Sequence, residues 1–417
     1  MQNSNEGHLQ IRLITKQQIY AVPDVPLSVP QTIDGNSLND LVNQLLKESN
    51  SDHLKPKNFD FLAIGELLRV PLIEHLAERN ISTETTVEIE YVEKTPAPEP
   101  KDSLLHDDWV CGIEATEKWI LTGCYDNSVN IWSTHGKMVA SLKEHKNIVK
   151  AVSWIDKSDP NRGFISVSHD LIGIIWSYED GTDSAAPKAL LRGHERGIDS
   201  LGVSPNTARL ATGGWDTNLK LWSTSLDDDG SEHVHKKIRS TNNIVTKTPL
   251  HTLKGHKEAI TGINWIDNYA VSTVSMDHTI KFWDAELCGI KNEIVGQKAY
   301  LSSSWSSINN TLLASSADRH IRLYDPRSSE GSLCKVTFTS HSLWVSSVAW
   351  SNYDTNLFIS GGYDSSVKMW DVRSSKAPLY NLQGHEGQVL KVDWSNKKYM
   401  VSGGSDNSVH IFKNKHV

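Results

Sequence analysis

The heptapeptide DSSVKMW, Asp364 to Trp370, is one of seven related stretches that decide the fold of this chain. Each stretch joins an Asp to an aromatic residue six positions later. The seven pairs are Asp126/Trp132, Asp170/Trp176, Asp216/Trp222, Asp277/Trp283, Asp318/Tyr324, Asp364/Trp370 and Asp406/Phe412. Successive Asp positions differ by 44, 46, 61, 41, 46 and 42 residues, so the chain contains a long internal repeat.

This repeat predicts a seven-bladed β-propeller. A period of ~40–45 residues with tight turns and alternating strands is typical of one four-stranded blade per repeat. Propellers usually present surfaces to partners, so an interaction function is the first hypothesis, although a fold alone does not determine function.

Two more polar positions recur around each pair. A hydroxyl residue lies four positions before the Asp, and a His lies 20 to 25 positions before it. The hydroxyl residues are Thr122, Ser166, Thr212, Thr273, Ser360 and Ser402, and the histidines are His106, His145, His194, His256, His341 and His385. The set resembles the buried relay of WD-repeat proteins, in which Trp donates to the hydroxyl, the hydroxyl to His, and His to Asp. Since buried polar groups must be paired, we expect the relay to fix the turns and register of each blade.

A Ser–His–Asp triad or a metal site would use the same residue types. Catalysis needs one site, whereas these residues recur around the chain, so the structural relay is favoured. Repeat five departs from the pattern, with Gln297, Ala314 and Tyr324 at the His, hydroxyl and Trp positions. We expect its blade to be the softest. Replacing Asp364 by Ala should cost ~1–3 kcal/mol, and replacing Asp318 much less.

The end of the chain is too short to complete its blade. Only KNKHV follows Phe412, whereas the other repeats use about ten more residues for an outer strand. Residues 100–105 have the form of those outer strands and are predicted to pair with the last blade, which removes an open sheet edge. The propeller is thus predicted to span residues 100–417, with an insertion at 226–249 that we interpret as a solvated loop.

Residues 8–92 do not follow the repeat. Leu9, Ile11 and Leu13 alternate as in a half-buried strand, and Ser37 followed by Asp40 resembles a helix start. The next apolar residues have helical spacing, namely Leu38, Leu41, Val42, Leu45 and Leu46. The order strand, strand, helix, strand, short helix, strand predicts a small α+β ubiquitin-like β-grasp domain. The Pro-rich residues 93–99 predict a stiff linker.

Composition narrows the classes of partner. The net charge is −8, and residues 1–103 carry 16 acidic against 9 basic side chains, which favours a cationic or metal-bearing partner over direct nucleic-acid contact. Four cysteines without paired spacing favour a reduced, intracellular setting. No apolar run has the length of a membrane span. We expect no membrane association, no cofactor and no enzymatic activity.

In the order of its two predicted domains, the chain resembles the Notchless-like (NLE) domain family of ribosome-assembly factors. The residues that carry the resemblance are the helix LNDLVNQLL and the segments FDFLAIGELLR and ISTETTVEIEY. Within that family, the chain has seven countable repeats and is therefore similar to the WD-repeat subunits of pescadillo–block-of-proliferation (PeBoW) complexes. Notchless itself has an eight-bladed ring.

This resemblance implies a set of partners. The propeller would dock on the block-of-proliferation WD-repeat protein, which also binds pescadillo, on precursors of the large ribosomal subunit in the nucleolus and nucleoplasm. The ubiquitin-like domain would be gripped by midasin, an AAA ATPase whose adhesion site holds Mg²⁺ with an open position, for ATP-driven release. Glu84 matches the family's ligand to that Mg²⁺, and Mg²⁺ prefers carboxylate oxygen.

Other functions are also compatible with these domains. Propellers and ubiquitin-like folds occur in substrate receptors of ubiquitin ligases, and a Notch-pathway adaptor is a variant of this hypothesis. A propeller enzyme would need a unique polar cluster in the central channel, and the sequence suggests none. Three aromatic residues lie outside the repeat pattern, namely Trp215, Trp344 and Tyr363. They have two interpretations, as contacts to a partner or as caps of their own turns.

Overall fold

A computed structural model of the chain describes residues 7–48, 56–78, 81, 86–181, 184–225, 244–327 and 334–415. The chain divides into two compact units, essentially Met1–Pro96 and the residues from Ala97 onward. Neither α-helix in these ranges combines the length and apolar character needed to cross a bilayer.

The first unit is a five-stranded mixed sheet with two helices. Its elements are β1 (His8–Ile14), a 3-10 turn (Gln18–Tyr20), β2 (Leu27–Pro30), α1 (Gly35–Glu48), β3 (Phe59–Ala63), β4 (Glu66–Leu67), α2 (Leu72–Ala77) and β5 (Val87–Glu93). The strand order is β2-β1-β5-β3-β4, in which β1 and β5 are parallel and the other pairs antiparallel. This is the ubiquitin-like β-grasp of the predicted fold class.

The helix α1 packs on this sheet through one apolar stripe. Leu38, Val42 and Leu46 are buried at helical spacing in the core of the unit. The predicted start at Ser37 and Asp40 is wrong by one turn. Asp34 accepts the backbone N–H of Ser37 at 2.9 Å, so Asp34 is the residue that caps the helix.

The second unit contains seven four-stranded antiparallel sheets in its described residues, one of them extended by a fifth strand. Innermost strand first, blade 1 has β7 (Val110–Ala115), β8 (Trp119–Cys124), β9 (Val129–Ser133) and β10 (Met138–Leu142); blade 2 has β11 (Val149–Trp154), β12 (Phe164–Ser168), β13 (Ile172–Glu179) and β14 (Ser184–Arg192); blade 3 has β15 (Ile198–Val203), β16 (Arg209–Gly214), β17 (Asn218–Ser223) and β19 (His251–Lys254); and blade 4 has β20 (Ile260–Trp265), β21 (Ala270–Ser275), β22 (Thr279–Asp284) and β23 (Gly289–Val295).

The remaining blades have the same plan. Blade 5 has β24 (Tyr300–Ser306), β25 (Thr311–Ser316), β26 (His320–Tyr324) and β27 (Cys334–Thr339); blade 6 has β28 (Val345–Trp350), β29 (Leu357–Gly362), β30 (Val367–Asp371) and β31 (Tyr380–Leu382); and blade 7 has β32 (Val389–Asp393), β33 (Tyr399–Gly404), β34 (Ser408–Lys413) and β6 (Glu99–Leu105). Each innermost strand contacts that of the next blade, and β32 contacts β7. The sheets therefore form a closed ring, which confirms the predicted seven-bladed propeller.

The last blade takes its outer strand from the residues before the first repeat. β6 pairs antiparallel with β34, with Leu105 opposite Ser408 and Glu99 opposite Lys413. The ladder begins one residue earlier than the range 100–105 given by the sequence pattern.

The insertion at 226–249 is not wholly a loop. Val245–Lys247 forms β18, which pairs parallel with β14 as a fifth strand of blade 2. The interpretation as a solvated loop is therefore wrong at these residues, and residues 226–243 lie outside the described ranges.

Candidate interaction surfaces and the polar relay

Each turn Asp first stabilises its own turn. The residue after every such Asp has a positive φ, between 58° and 72°: Asn127, Leu171, Thr217, His278, Arg319, Ser365 and Asn407. In six blades Oδ1 of the Asp accepts the backbone N–H two residues further on, for example Ser366 on Asp364 at 3.3 Å. Such turns favour Asp because its short side chain can bond to its own backbone. Sequence reasoning had assigned the Asp only to the relay.

Four blades build the whole relay. In blade 6, Trp370 Nε1 donates to Ser360 Oγ at 2.8 Å, Ser360 Oγ is 2.7 Å from His341 Nε2, and His341 Nδ1 is 2.9 Å from Asp364 Oδ2. The same three contacts, all between 2.7 and 2.9 Å, join Trp176, Ser166, His145 and Asp170 in blade 2, Trp222, Thr212, His194 and Asp216 in blade 3, and Trp283, Thr273, His256 and Asp277 in blade 4.

Blade 1 departs from the expected relay. Trp132 Nε1 donates to His106 Nε2 at 3.1 Å, and the other ring nitrogen of His106 is 3.2 Å from the Leu104 carbonyl. Thr122 still contacts His106 at 3.0 Å. Asp126 is instead paired with Lys143 at 3.3 Å. The expected His106–Asp126 contact is therefore wrong, since Asp126 contacts Ser128 and Lys143 and His106 contacts the Leu104 carbonyl.

Blade 7 keeps the relay without its first donor. His385 Nε2 is 2.8 Å from Ser402 Oγ, and His385 Nδ1 is 2.9 Å from Asp406 Oδ2. Phe412 stands at the Trp position and has no N–H to donate to Ser402.

Blade 5 replaces the relay by two shorter pairs. The Tyr300 and Tyr324 hydroxyls are hydrogen-bonded at 2.7 Å, and burial raises the pKa of both phenols. Arg322 binds Asp318 through two nitrogens, at 2.5 and 3.2 Å. Burial works to raise the pKa of Asp318, but the hydrogen bond from Arg322 outweighs it and holds that pKa below its usual value. These four side chains are thus paired by other means than the relay.

One face of the ring is built from equivalent residues of all seven blades. In each blade the residue before the turn Asp donates its backbone N–H to the residue before the innermost strand, at 2.8 to 3.0 Å. The pairs, from blade 1 to blade 7, are Tyr125/Trp109, His169/Ile148, Trp215/Gly197, Met276/Ala259, Ala317/Ala299, Tyr363/Trp344 and Ser405/Gln388. We call this surface the turn face.

Aromatic side chains are concentrated on one arc of the turn face. Trp109 and Tyr125 of blade 1 have ring centroids 5.2 Å apart, and Trp344 stacks on Tyr363 of blade 6 at 5.7 Å. Trp109 is 42% exposed and Trp344 49%, so much of each indole reaches solvent. Blades 6, 7 and 1 are consecutive, so the two pairs flank the polar residues of blade 7. Trp215 of blade 3, 43% exposed, lies apart from them.

The central channel is more highly charged than the sequence suggested. A cavity of about 600 Å³ is lined by the innermost strands and includes Lys150, Asp199, Lys391 and Glu114. The expectation that the channel holds no distinctive polar cluster is therefore wrong. Burial lowers the pKa of Lys391. Part of the signal was present in the sequence, because Lys391 occupies a strand position at which the other six blades have Gly, Ala or Ser.

The channel acids bind neighbouring blades together. Glu114 accepts the backbone N–H of Trp154 in the next blade at 2.6 Å and pairs with Lys157 at 2.8 Å. Asp393 of blade 7 accepts the backbone N–H of Ala115 in blade 1 at 2.9 Å. These carboxylates are engaged in structural contacts, which favours a cohesive over a catalytic role.

Two other sequence predictions concern Glu84 and the four cysteines. Glu84 lies outside the described residues, between α2 and β5 in the sequence. The four cysteines, Cys111, Cys124, Cys288 and Cys334, are all free, and burial raises the pKa of the Cys111 thiol to about 11.

Comparison with known proteins defines the class of this chain. Residues 9–76 match the NLE (NUC135) domain family, and residues 99–133, 186–223, 247–284, 332–371 and 376–413 match the WD domain, G-beta repeat family. With the two folds described above, these matches make it a WD-repeat propeller protein with an N-terminal NLE domain.

Full-length relatives narrow the class to one family. The chain is 48% identical over 412 residues to a "Ribosome biogenesis protein WDR12 homolog" of Aedes aegypti, covering 99% of this chain and 96% of that protein. Proteins of the same name from Culex quinquefasciatus and Drosophila pseudoobscura pseudoobscura are each 47% identical, and cover 98% and 99% of this chain and 96% and 97% of their own lengths. The chain belongs to the family of ribosome biogenesis protein WDR12 homologs, and the resemblance drawn from its sequence is confirmed.

Proposed function

We propose that this chain is a non-enzymatic assembly factor for the large ribosomal subunit. The full-length likeness to ribosome biogenesis proteins carries the proposal. The propeller docks on the block-of-proliferation WD-repeat protein, and through it joins pescadillo on the pre-ribosome in the nucleus. The NLE domain is bound by the midasin ATPase, which releases the chain in an ATP-driven step.

The docking part of the proposal is supported by the aromatic arc of the turn face. Interfaces are enriched in Trp and Tyr, which bury much area at little conformational cost. Trp109 and Trp344 present large indole surfaces on blades 1 and 6. Neither indole is required by the relay of its blade, so both are available to a partner.

A binding assay with matched variants tests this surface. Trp344→Ala and Trp109→Ala should each weaken binding of the purified block-of-proliferation propeller by roughly 30-fold or more, the effect of removing an interface hot spot. Tyr269→Ala is the control, because Tyr269 is 52% exposed and lies in the connection between β20 and β21, at the other end of its sheet. Equal affinity of all three variants would remove the turn face from the proposal.

The release part of the proposal rests on Glu84 as the oxygen ligand to midasin's Mg²⁺. Mg²⁺ demands near-octahedral geometry, so a carboxylate one methylene shorter misses the open position. Glu84→Ala and Glu84→Asp should both abolish capture by the midasin adhesion domain in buffer with Mg²⁺, and leave propeller docking unchanged. Glu88→Ala, an exposed acid of β5, serves as the control variant. Capture of Glu84→Ala at the wild-type level contradicts the assignment.

One affinity purification from nuclear extract distinguishes this function from the alternatives. Large-subunit precursors and their assembly factors should co-purify with the wild-type chain. Recovery of cullin-type components in their place would support a ubiquitin-ligase receptor.

A further inference from the structure

Blade 7 holds a group of side chains that the other blades do not repeat. His385 precedes β32, Asp406 lies in the turn before β34, and His410 lies on β34 itself. One ligand-type atom from each residue lies within 4.8 Å of the others. Among the residues that the structure describes, this is the only such group of three His, Cys, Asp or Glu side chains.

His410 is what makes the group unusual. It lies directly opposite the relay hydroxyl Ser402 in the sheet. The equivalent residues of blades 1 to 6 are Asn130, Ile174, Lys220, Lys281, Arg322 and Lys368. Only blade 7 has an imidazole at this position, and its ring centroid is 4.4 Å from that of His385.

The missing indole of the same blade changes what His385 can do. In a complete relay the hydroxyl group accepts a hydrogen bond from the Trp indole and donates its own hydrogen bond to His Nε2. The ring proton of that His is then on Nδ1, which donates a hydrogen bond to the Asp carboxylate. Phe412 makes no such donation, which leaves Ser402 Oγ, 2.8 Å away, able to accept from a protonated Nε2 of His385. In that tautomer the Nδ1 lone pair points toward Asp406 and is available to a cation.

We propose that His385, Asp406 and His410 form a zinc site with a fourth position open to water. Two imidazoles and a carboxylate are a typical ligand set for Zn²⁺. Tetrahedral bonds of about 2.0–2.1 Å separate ligand atoms by about 3.3 Å. His385 Nδ1 and Asp406 Oδ2, now 2.9 Å apart, need to move apart by a few tenths of an ångström, whereas ligand atoms of the group that lie up to 4.8 Å apart need to approach by about 1.5 Å.

The place of the site in the fold gives it a role. β34 is the strand that pairs with β6 to close the ring. A bound ion ties β34 to the turn before it and to the connection before β32. Zinc would thereby strengthen the closure of the propeller.

The experiment uses the full-length chain without an affinity tag, stripped of metal and titrated with Zn²⁺ against a chromophoric chelator. The wild type should bind one equivalent more than His410→Lys, a variant that carries the residue of blades 3, 4 and 6. Free Zn²⁺ at a hundred times the dissociation constant of the site should raise the melting temperature of the wild type by about 5 °C. The melting temperature of His410→Lys should not change. Co²⁺ should give the wild type alone the visible bands of a tetrahedral site.

Two further variants sharpen the outcome. His135→Lys, at an exposed turn of blade 1, should bind zinc as the wild type does. Phe412→Trp restores the indole donor and should weaken zinc binding about tenfold, since it favours the other tautomer of His385 by roughly one hydrogen bond. Equal zinc stoichiometry in the wild type and His410→Lys overturns the site, and unchanged affinity in Phe412→Trp overturns the tautomer argument.

Discussion

Blades 5 and 6 are neighbours with the same strand plan and different buried chemistry. Blade 6 joins Trp370 to Asp364 through one continuous relay, whereas blade 5 has two separate pairs, Tyr300–Tyr324 and Arg322–Asp318. Both arrangements pair their buried donors and acceptors. The comparison shows that different sets of paired polar side chains can occupy equivalent places in a blade.

The largest difference should come from removing the turn carboxylates. Asp364→Ala should lower the free energy of unfolding by ~1–3 kcal/mol, because His341 Nδ1 and the backbone N–H of Ser342 lose their acceptor. Asp318→Ala should cost less than about 1 kcal/mol, since the Arg322 side chain is 20% exposed and can turn to water. Urea unfolding followed by tryptophan fluorescence measures both. Equal shifts would mean that the relay adds nothing beyond the pairs of blade 5.

The tyrosine pair should behave as a coupled unit. Tyr324→Phe leaves the hydroxyl of Tyr300, which is 1% exposed, without its partner, and should cost about 1–2 kcal/mol. The double variant Tyr300→Phe with Tyr324→Phe should cost less than the sum of the single changes, because both polar groups leave together. Strict additivity in a double-mutant cycle contradicts the pairing.

A smaller loss of stability should appear in blade 6 when the pH is lowered. Burial lowers the pKa of His341, and the pKa of Asp364 is lowered because bonds from His341 and Ser366 outweigh its burial. The His contributes stability above its unfolded pKa of about 6.5 and loses it as the pH falls below that value. The Asp contribution persists until the pH falls below about 3.8.

Hydrogen exchange at pH 7 and pH 5, corrected for intrinsic rates, measures this difference blade by blade. Amides of β28–β30 should lose more protection at pH 5 than those of β24–β26, because blade 5 has Gln297 at the relay His position. Equal losses in both blades would show that His341 does not set the response.

The smallest effects should be alike in the two blades. Arg319 and Ser365 follow their turn Asp with φ of 72° and 58°, a conformation that glycine adopts without strain. Arg319→Gly and Ser365→Gly should each raise the free energy of unfolding by about 0.5 kcal/mol, since the relieved strain slightly exceeds the added entropy of the unfolded chain. Unequal gains in thermal melts would indicate that the relay reaches into the turn.

The sequence alone was enough to predict the features that follow from local patterns. Seven Asp–aromatic pairs at a regular spacing were enough for the ring, and an apolar stripe through Leu38, Val42 and Leu46 was enough for the helix of the first domain. These patterns are local, so they can be seen in a single sequence. The strand that completes the last blade was predicted because residues 100–105 have the form of the other outer strands.

The rest depends on contacts between distant segments. Asp126 of blade 1 contacts Lys143 and Ser128 in place of the relay His, and nothing in the repeat itself distinguishes that Asp from the others. The channel charges meet only when seven innermost strands are brought side by side, as in the bond between Asp393 and Ala115. The zinc site likewise became visible only when His410 was placed opposite Ser402 in the sheet.

The strand β6 also sets how the propeller responds to mechanical load. The chain enters it at Glu99, opposite Lys413, so tension applied through the first domain falls on the ladder between β6 and β34. Tension across the ladder breaks its bonds one pair at a time from that end, whereas tension along the strands loads all the bonds together and meets far greater resistance. The direction of pull therefore determines whether the ladder between β6 and β34 opens from one end or resists as a whole.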